Sequence, residues 1–283
     1  MRSCSVSGSV TAVAGGYNIT AGGTNIFGAA DQFTFNYELV DGNFDYKVRL
    51  AGLTLADAWS KAGLMGRQTL DSNSVYACSL ATPSVSGAYF QWRTTTGGGT
   101  SNSGNFLVNY PNTWLRLQRT NNLFTSYASL DGNAWFQLGS ATVSMTNSIY
   151  VGMAVSASVI NGSANPTIAA QFRDLATVTG GTIGTSLPDF EPPGPSSRKT
   201  PFAITEIMYK PFPATNASGG SFEFIEIFNS NPFFEEISRF RLSGDIDYTF
   251  PQGTFVQGGQ YIVVAKDPTA LTAYYGLSGM PVF

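Results

Sequence analysis

Apolar and polar residues alternate strictly in two neighbouring stretches, Phe33-Thr-Phe-Asn-Tyr-Glu-Leu39 and Phe44-Asp-Tyr-Lys-Val-Arg-Leu50, with a large apolar residue at every second place. A period of two puts successive side chains on opposite faces of an extended strand, so both stretches predict half-buried antiparallel strands. Asp41-Gly42-Asn43 between them has turn composition and predicts a hairpin joining the two. The same reading fits Ala88-Tyr-Phe-Gln-Trp-Arg93, Trp114-Leu-Arg-Leu-Gln-Arg119, Leu123-Phe-Thr-Ser-Tyr-Ala-Ser129 and Ile149-Tyr-Val-Gly-Met-Ala-Val155. Each is bounded by Gly, Asn, Pro or Asp, and such a series predicts a β-sandwich or barrel.

From Thr179 to Thr200 the alternation disappears into a Gly- and Pro-rich run that includes Glu191-Pro-Pro-Gly-Pro-Ser-Ser-Arg-Lys199. Prolines favour extended backbone without sheet pairing, which predicts a linker over 179–201 between a first domain (1–178) and a second (202–283). Strand patterns resume in Phe202-Ala-Ile-Thr-Glu-Ile-Met-Tyr209, Phe222-Glu-Phe-Ile-Glu-Ile-Phe228 and Tyr261-Ile-Val-Val-Ala265. Pro268-Thr-Ala-Leu-Thr-Ala-Tyr-Tyr275 is the one stretch that reads as helix, two turns long.

Composition narrows the function classes. Over 283 residues only 12% are charged, while aromatics reach 13% and Gly numbers 31, a balance that suits short strands and tight turns rather than helical bundles. The net charge of −3, with no run of Lys or Arg, argues against nucleic acid as a partner. No stretch is long and apolar enough to span a bilayer, and the opening Met1-Arg-Ser-Cys-Ser-Val-Ser7 lacks the apolar core of a signal peptide, so any export signal is expected outside this sequence. The two thiols, Cys4 and Cys78, are too few for a disulfide framework, and Cys78 in an apolar strand reads as packing.

In the first domain the ordered run Ala29-Ala-Asp-Gln-Phe33, Gly42-Asn-Phe44, Trp59-Ser-Lys-Ala-Gly-Leu-Met-Gly-Arg67, Phe90-Gln-Trp-Arg93, Trp114-Leu-Arg-Leu-Gln-Arg119, Ser129-Leu-Asp-Gly-Asn-Ala-Trp135 and Tyr150-Val-Gly-Met-Ala-Val155 resembles bacterial concanavalin A-like domains of the regulation-of-enolase type. The second segment, with Ile204-Thr-Glu-Ile-Met-Tyr209, Glu223-Phe-Ile-Glu-Ile-Phe-Asn229, Phe240-Arg-Leu-Ser-Gly244, Tyr248-Thr-Phe-Pro251 and Gly258-Gly-Gln-Tyr-Ile-Val-Val-Ala-Lys266, resembles a lamin tail domain. The resemblances imply an all-β chain: a concanavalin A-like antiparallel sandwich of jelly-roll type, then an immunoglobulin-like sandwich lacking its usual later strands, with an unpaired edge or an incomplete core. They also imply a piece of a larger secreted or cell-surface bacterial protein.

With no His anywhere, Ser-His-Asp and Cys-His pairs and the usual base near neutral pH are excluded. No run in residues 1–178 offers the paired carboxylates of a glycoside hydrolase; Asp31, Asp57, Asp71 and Asp131 sit where Asp bonds the local backbone in turns. Glu223 and Glu226, three apart in a strand, point to opposite faces. Glu226 shares its face with Phe222, Phe224 and Phe228, as a structural carboxylate or, alternatively, a calcium ligand; no other cofactor is expected. Thr94-Thr-Thr-Gly-Gly-Gly-Thr-Ser-Asn-Ser-Gly104 lacks the Gly-Lys-Ser/Thr ending of a phosphate cradle and reads as a hairpin loop. Ser129-Leu-Asp-Gly-Asn-Ala-Trp135 reads as an Asp-box turn, in which Asp caps the turn, Gly takes positive φ and Trp packs beneath.

The best candidate site is a polar sheet face. Tyr89, Gln91 and Arg93 share one side of their strand, Phe90 and Trp92 the other, and Arg67 from the preceding motif joins the polar group. Arg offers a fixed fork of donors and Tyr a stacking surface, both suited to hydroxyl-rich ligands; Trp59 is either a rim aromatic or a plug at the end of the sandwich. The expected function is non-catalytic binding or adhesion, directed at polysaccharide or cell-surface components, by a monomer or part of a longer chain outside the cell. The alternatives are a purely structural spacer and a glycosidase with an unrecognised carboxylate pair.

Overall fold

The computed structural model describes residues 8–54, 56–83, 86–158, 167–184, 202–211, 222–230, 234–244 and 246–283. The described residues are all-β apart from one short helix, and the chain divides into two compact units, Met1–Lys199 and Thr200–Phe283.

In the first unit fourteen strands run in chain order: β1 (Ser9–Val13), β2 (Gly16–Ala21), β3 (Thr34–Asp41), β4 (Phe44–Leu53), β5 (Lys61–Arg67), β6 (Tyr76–Ala81), β7 (Ala88–Arg93), β8 (Ser101–Phe106), β9 (Thr113–Thr120), β10 (Leu123–Ser129), β11 (Ala134–Thr142), β12 (Ser148–Ser156), β13 (Ile168–Thr177) and β14 (Thr182–Gly184). They form an eight-stranded sheet, β1-β2-β13-β4-β9-β10-β11-β14, and a six-stranded sheet, β3-β12-β5-β6-β7-β8. All pairs are antiparallel except β11 with β14. The main core lies between the sheets, where Val48, Leu50, Leu115, Leu117 and Phe124 of one meet Leu64, Phe90, Ile149, Val151 and Met153 of the other.

Two expectations are corrected here. β3 and β4 do not form a hairpin: β3 pairs with β12 in one sheet and β4 with β9 and β13 in the other, so Asp41-Gly42-Asn43 turns the corner between sheets, with Gly42 at φ 71° and its N–H bonded to the Asn147 carbonyl. Alternation marks both stretches as strands but does not choose their partners. The stretch 179–201 is not all linker either, since Thr182–Gly184 is added to the sheet beside Ala134–Phe136.

β3 also turns its large residues away from the main core. Residues directly opposite in an antiparallel pair share a face. Thr34, Asn36, Glu38 and Val40 lie opposite the core residues Val155, Met153, Val151 and Ile149, so the polar side of β3 faces the eight-stranded sheet. Phe33 and Phe35 pack instead into a second small core on the outer face, with Ile26, Met65, Tyr76, Cys78, Leu80, Tyr89 and Ala154. The connection from β2 to β3 covers that face as a strap, closed on itself by the Gln32 N–H to Asn25 carbonyl bond. The unit therefore has three layers: sheet, sheet and strap.

The second unit has β15 (Phe202–Met208), β16 (Phe224–Asn229), β17 (Glu235–Glu236), β18 (Arg241–Leu242), β19 (Tyr248–Thr249), β20 (Phe255–Val256), β21 (Tyr261–Ala265) and α1 (Pro268–Tyr275). Its three-stranded sheet, β15-β16-β21, buries Ile225, Ile227, Ile262 and Val264 against Ile237, Phe250 and Val256 of the β17-β20 and β18-β19 region. The other face packs Phe222 and Val263 on Leu271 of α1, which begins at Asp267, whose carboxylate accepts from the Ala270 N–H. The expected unpaired edge exists on one side only. β15 leaves Ile204 and Ile207 more than half exposed, whereas Pro281–Phe283 bonds alongside β21 and sets Phe283 edge-on to Phe250.

Candidate functional site

The polar residues singled out on the six-stranded sheet do share one face. Cross-strand register aligns Arg67 with Tyr76 and Arg93, Met65 with Cys78 and Gln91, and Gly63 with Leu80 and Tyr89. That face is sealed, contrary to its expected exposure: Arg67, Gln91 and Arg93 are no more than 1% exposed and Tyr89 only 8%.

The strap and the loop between β5 and β6 supply the partners that a ligand would otherwise supply. Arg93 makes a fork to Asp31 (2.9 Å to Oδ2 and 2.7 Å to Oδ1), donates to the Gly28 carbonyl from Nη2 (2.7 Å) and to the Ser74 carbonyl from Nη1 (2.9 Å), and stacks over Tyr76. Arg67 donates to the Thr69 and Asp71 carbonyls, lies 3.7 Å from Asp31 and covers the Phe33 ring. Gln91 Nε2 donates to the Ile26 carbonyl and to the Tyr76 hydroxyl, both at 2.7 Å. Lys61, fully buried, reaches the Ile26 carbonyl at 3.3 Å and lies near the faces of Phe27 and Tyr89. Asp31 is thus a buried ion-pair partner rather than a local turn residue, because the strap folds it under the sheet.

Burial sets the electrostatics of this layer. It pushes the Lys61 amine down to about 8, against the opposing pull of Cys78, Asp31 and Asp57. It raises the Cys78 thiol and the Tyr76 and Tyr89 hydroxyls, lowers Arg67, and lifts the Asp31 carboxyl above its ordinary value against the pull of Arg93. Cys78 is a free buried thiol donating to the Gln91 carbonyl, as its apolar strand predicts; Cys4 lies outside the described residues.

The opposite, inward side of β3 is open. A cleft of about 130 Å³ lies between β3 and the eight-stranded sheet. Tyr17 of β2 and Tyr46 of β4 line it together with Asn36 and Glu38 of β3, over a floor of Leu64, Val151, Gly152 and Met153. Gly152 is required there, since a Cβ would fall 2.0 Å from the Asn36 carbonyl oxygen. Burial, and the Glu38 carboxylate hydrogen-bonded to it, raise the Tyr46 hydroxyl above its ordinary value. Outside the cleft Tyr37 stacks on Phe35 and meets Tyr150 edge-on at 5.2 Å, and Leu39 beyond them is 62% exposed. The alternation in 33–39 already separates Asn36 and Glu38 from the aromatics; it does not say that the polar set would face inward.

Other candidates resolve into structure. Trp59 is partly exposed in the loop before β5, its N–H bonded to the Asp57 carboxylate, and it touches none of the other predicted site residues through a hydrogen bond or ring contact. Trp92 stacks on Phe90 against the main core. Asp131 accepts from the Asn133 and Ala134 N–H groups at 2.8 Å, bonds that hold its carboxyl low against its burial; Gly132 has φ 74° and Trp135 is 1% exposed, the geometry of the predicted turn. Lys47 and Arg49 flank Trp114, but both are engaged by the chain, at the Gly132 carbonyl and Asp174. Glu226 is half-buried beside Phe224 and Phe228 and accepts from the Thr205 hydroxyl at 2.7 Å, while Glu223 pairs with Lys266. Among the described residues no group of three His, Cys, Asp or Glu side chains could hold a metal ion, and no helix is long and apolar enough to cross a membrane.

No protein-family model matches the chain, and no curated protein matches it. Among solved structures, a functionally unknown protein from Saccharomyces cerevisiae is 17% identical, with TM-score 0.47 over 60% of this chain and 91% of its own. The carbohydrate binding module CBM66 from Bacillus subtilis is 13% identical, with TM-score 0.40 over 61% of this chain and 92% of its own. A GH43 protein from Bacillus licheniformis is 15% identical, with TM-score 0.41 over 56% of this chain and 32% of its own. The chain itself is an all-β protein whose first unit is a two-sheet antiparallel sandwich.

Proposed function

We propose that the chain is a non-catalytic binding protein whose first unit takes a carbohydrate in the cleft beside β3. The supporting observation is the cleft itself, where two tyrosines, an amide and a carboxylate converge on a space that no other part of the described chain fills. Tyrosine rings offer flat apolar faces and hydroxyls, and Asn and Glu offer the directed hydrogen bonds that fix a hydroxyl-rich ligand.

The non-catalytic part of the reading rests on what lines the space. Glycoside hydrolysis by the usual route needs two carboxyl groups about the scissile bond, and Glu38 is the only carboxylate lining this cleft. An extracellular or cell-surface setting, with a regulation-of-enolase-type first domain and a lamin-tail-type second, belongs to the same proposal and rests on the motifs quoted above.

Affinity electrophoresis of the full chain against plant, algal and bacterial polysaccharides tests it. Retardation in at least one polymer, lost in Tyr17→Ala, is the expected result. Retardation unchanged in Tyr17→Ala would place binding elsewhere. No retardation in any polymer would favour the spacer reading, which the sealing of the more polar sheet face also supports.

A further inference from the structure

The charge of the cleft goes beyond its shape. Among its ten lining residues Glu38 is the only charged one, and no Lys or Arg faces it. Neighbouring cations are held elsewhere: Arg173 by the Tyr17 carbonyl and Asn18, Arg49 by Asp174, Lys47 by the Gly132 carbonyl, Arg116 by Asp45. Glu38 takes part in none of the ion pairs among the described residues. A carboxylate has about four acceptor positions, so the Tyr46 hydroxyl leaves most of them unused.

A cation is the charge these surroundings attract. The faces of aromatic rings draw ammonium groups electrostatically, and tyrosines arranged about a carboxylate combine that attraction with a full counter-charge. A uronate or sulfate would bring a like charge to Glu38. At about 130 Å³ the space is small beside the roughly 300–1,000 Å³ of a drug-sized pocket. It suits one substituent or one sugar edge, with the polymer continuing outside over Tyr37, Tyr150 and Leu39.

We propose that this cleft selects an amino sugar, a glycan residue carrying a free ammonium group, with Glu38 as its counter-ion and Tyr17 and Tyr46 as its walls. The inference rests on the carbohydrate reading and specifies its ligand class. The test is isothermal titration of the full chain with a glucosamine oligomer, its N-acetylated counterpart and a glucuronate-containing oligomer of equal length, at a pH where the amine is protonated. The glucosamine oligomer should bind about tenfold more tightly than the N-acetylated one, with the glucuronate weakest. Glu38→Gln should erase that preference, bringing the glucosamine oligomer to the affinity of its N-acetylated counterpart in the same variant. Equal affinity for the amine and its acetylated form, or a preference untouched by Glu38→Gln, would overturn the ligand class and leave carbohydrate binding standing. Absence of heat with all three, together with no retardation by any polysaccharide, would overturn both.

Discussion

The two sides of the six-stranded sheet carry polar groups of opposite fate. On the outer side Lys61, Arg67, Gln91 and Arg93 form the richer set of donors, and every one of them is bonded to an atom of the chain itself. On the inner side, at β3, a poorer set of Asn36 and Glu38 borders open space, facing Tyr17 and Tyr46 of the other sheet. The strap makes the difference, because it delivers the carbonyls of Ile26 and Gly28 and the Asp31 carboxylate to the outer side, and nothing equivalent among the described residues reaches the mouth between β3 and β4. A polar face becomes a ligand site through the hydrogen bonds its own chain leaves unmade, and the count of its polar residues does not measure that.

The comparison breaks most visibly at Arg93. Removing one partner of a buried ion pair leaves the other charge uncompensated, so Arg93→Ala should destabilise the first unit by about 3–5 kcal/mol in urea unfolding. Asp31→Ala combined with Arg93→Ala should cost less than the sum of the single changes, because Asp31 and Arg93 share one interaction. If Arg93→Ala were near neutral, the sealed face would be a ligand surface waiting to open, and the contrast drawn here would fail.

Lys61 sharpens the same contrast through pH. The unfolded amine keeps its proton to about 10.5, whereas the folded one releases it at about 8. Between these values the unfolded chain binds more protons, so this residue's cost is fully present below about 8 and is relieved as pH rises toward 10.5. The buried Cys78, Tyr76 and Tyr89, all raised, act in the opposite sense once their unfolded counterparts ionise, near 9.0 for the thiol and 10.0 for the phenols. Comparing wild type with Lys61→Met cancels the tyrosine contributions, and below about pH 9 the thiol is protonated folded and unfolded alike. The variant should be more stable at pH 7 by on the order of 1–2 kcal/mol, with the gap closing by pH 10. A gap independent of pH would mean that Lys61 is not buried as a charge.

Much of this was legible in the residues, and what was not has a physical reason. Alternation identified the strands, the shared side of Tyr89, Gln91 and Arg93, the inward Trp92, the buried Cys78 and the turn built on Asp131, because each depends on neighbours in sequence. The pairing of β3 with β12 depends on residues more than a hundred positions apart, and a local turn signature cannot report it. The strap was missed because 22–32 is Gly-rich, with no period, and its role appears only once Ile26 and Asp31 are seen against the sheet. The same blindness misassigned Arg67 and Arg93 and hid the cleft, since the strap gives β3 a second core on its aromatic side and frees its polar side to face inward.

The smallest effects lie along β3, where cover ends within a few residues. Phe35 packs against the second core, and Leu39, on the same side of the strand, lies beyond it at 62% exposure. Phe35→Ala should therefore cost about 2 kcal/mol, less than a fully buried Phe because its ring keeps some solvent contact. Leu39→Ala should stay within about 0.5 kcal/mol, since truncating a side chain already in water creates no cavity. Urea unfolding of both variants measures the gradient directly. Equal costs at the two positions would mean that the outer face of β3 is covered evenly along its length, which would extend the sealed surface to the cleft's rim and remove the open ground on which a polymer is proposed to lie.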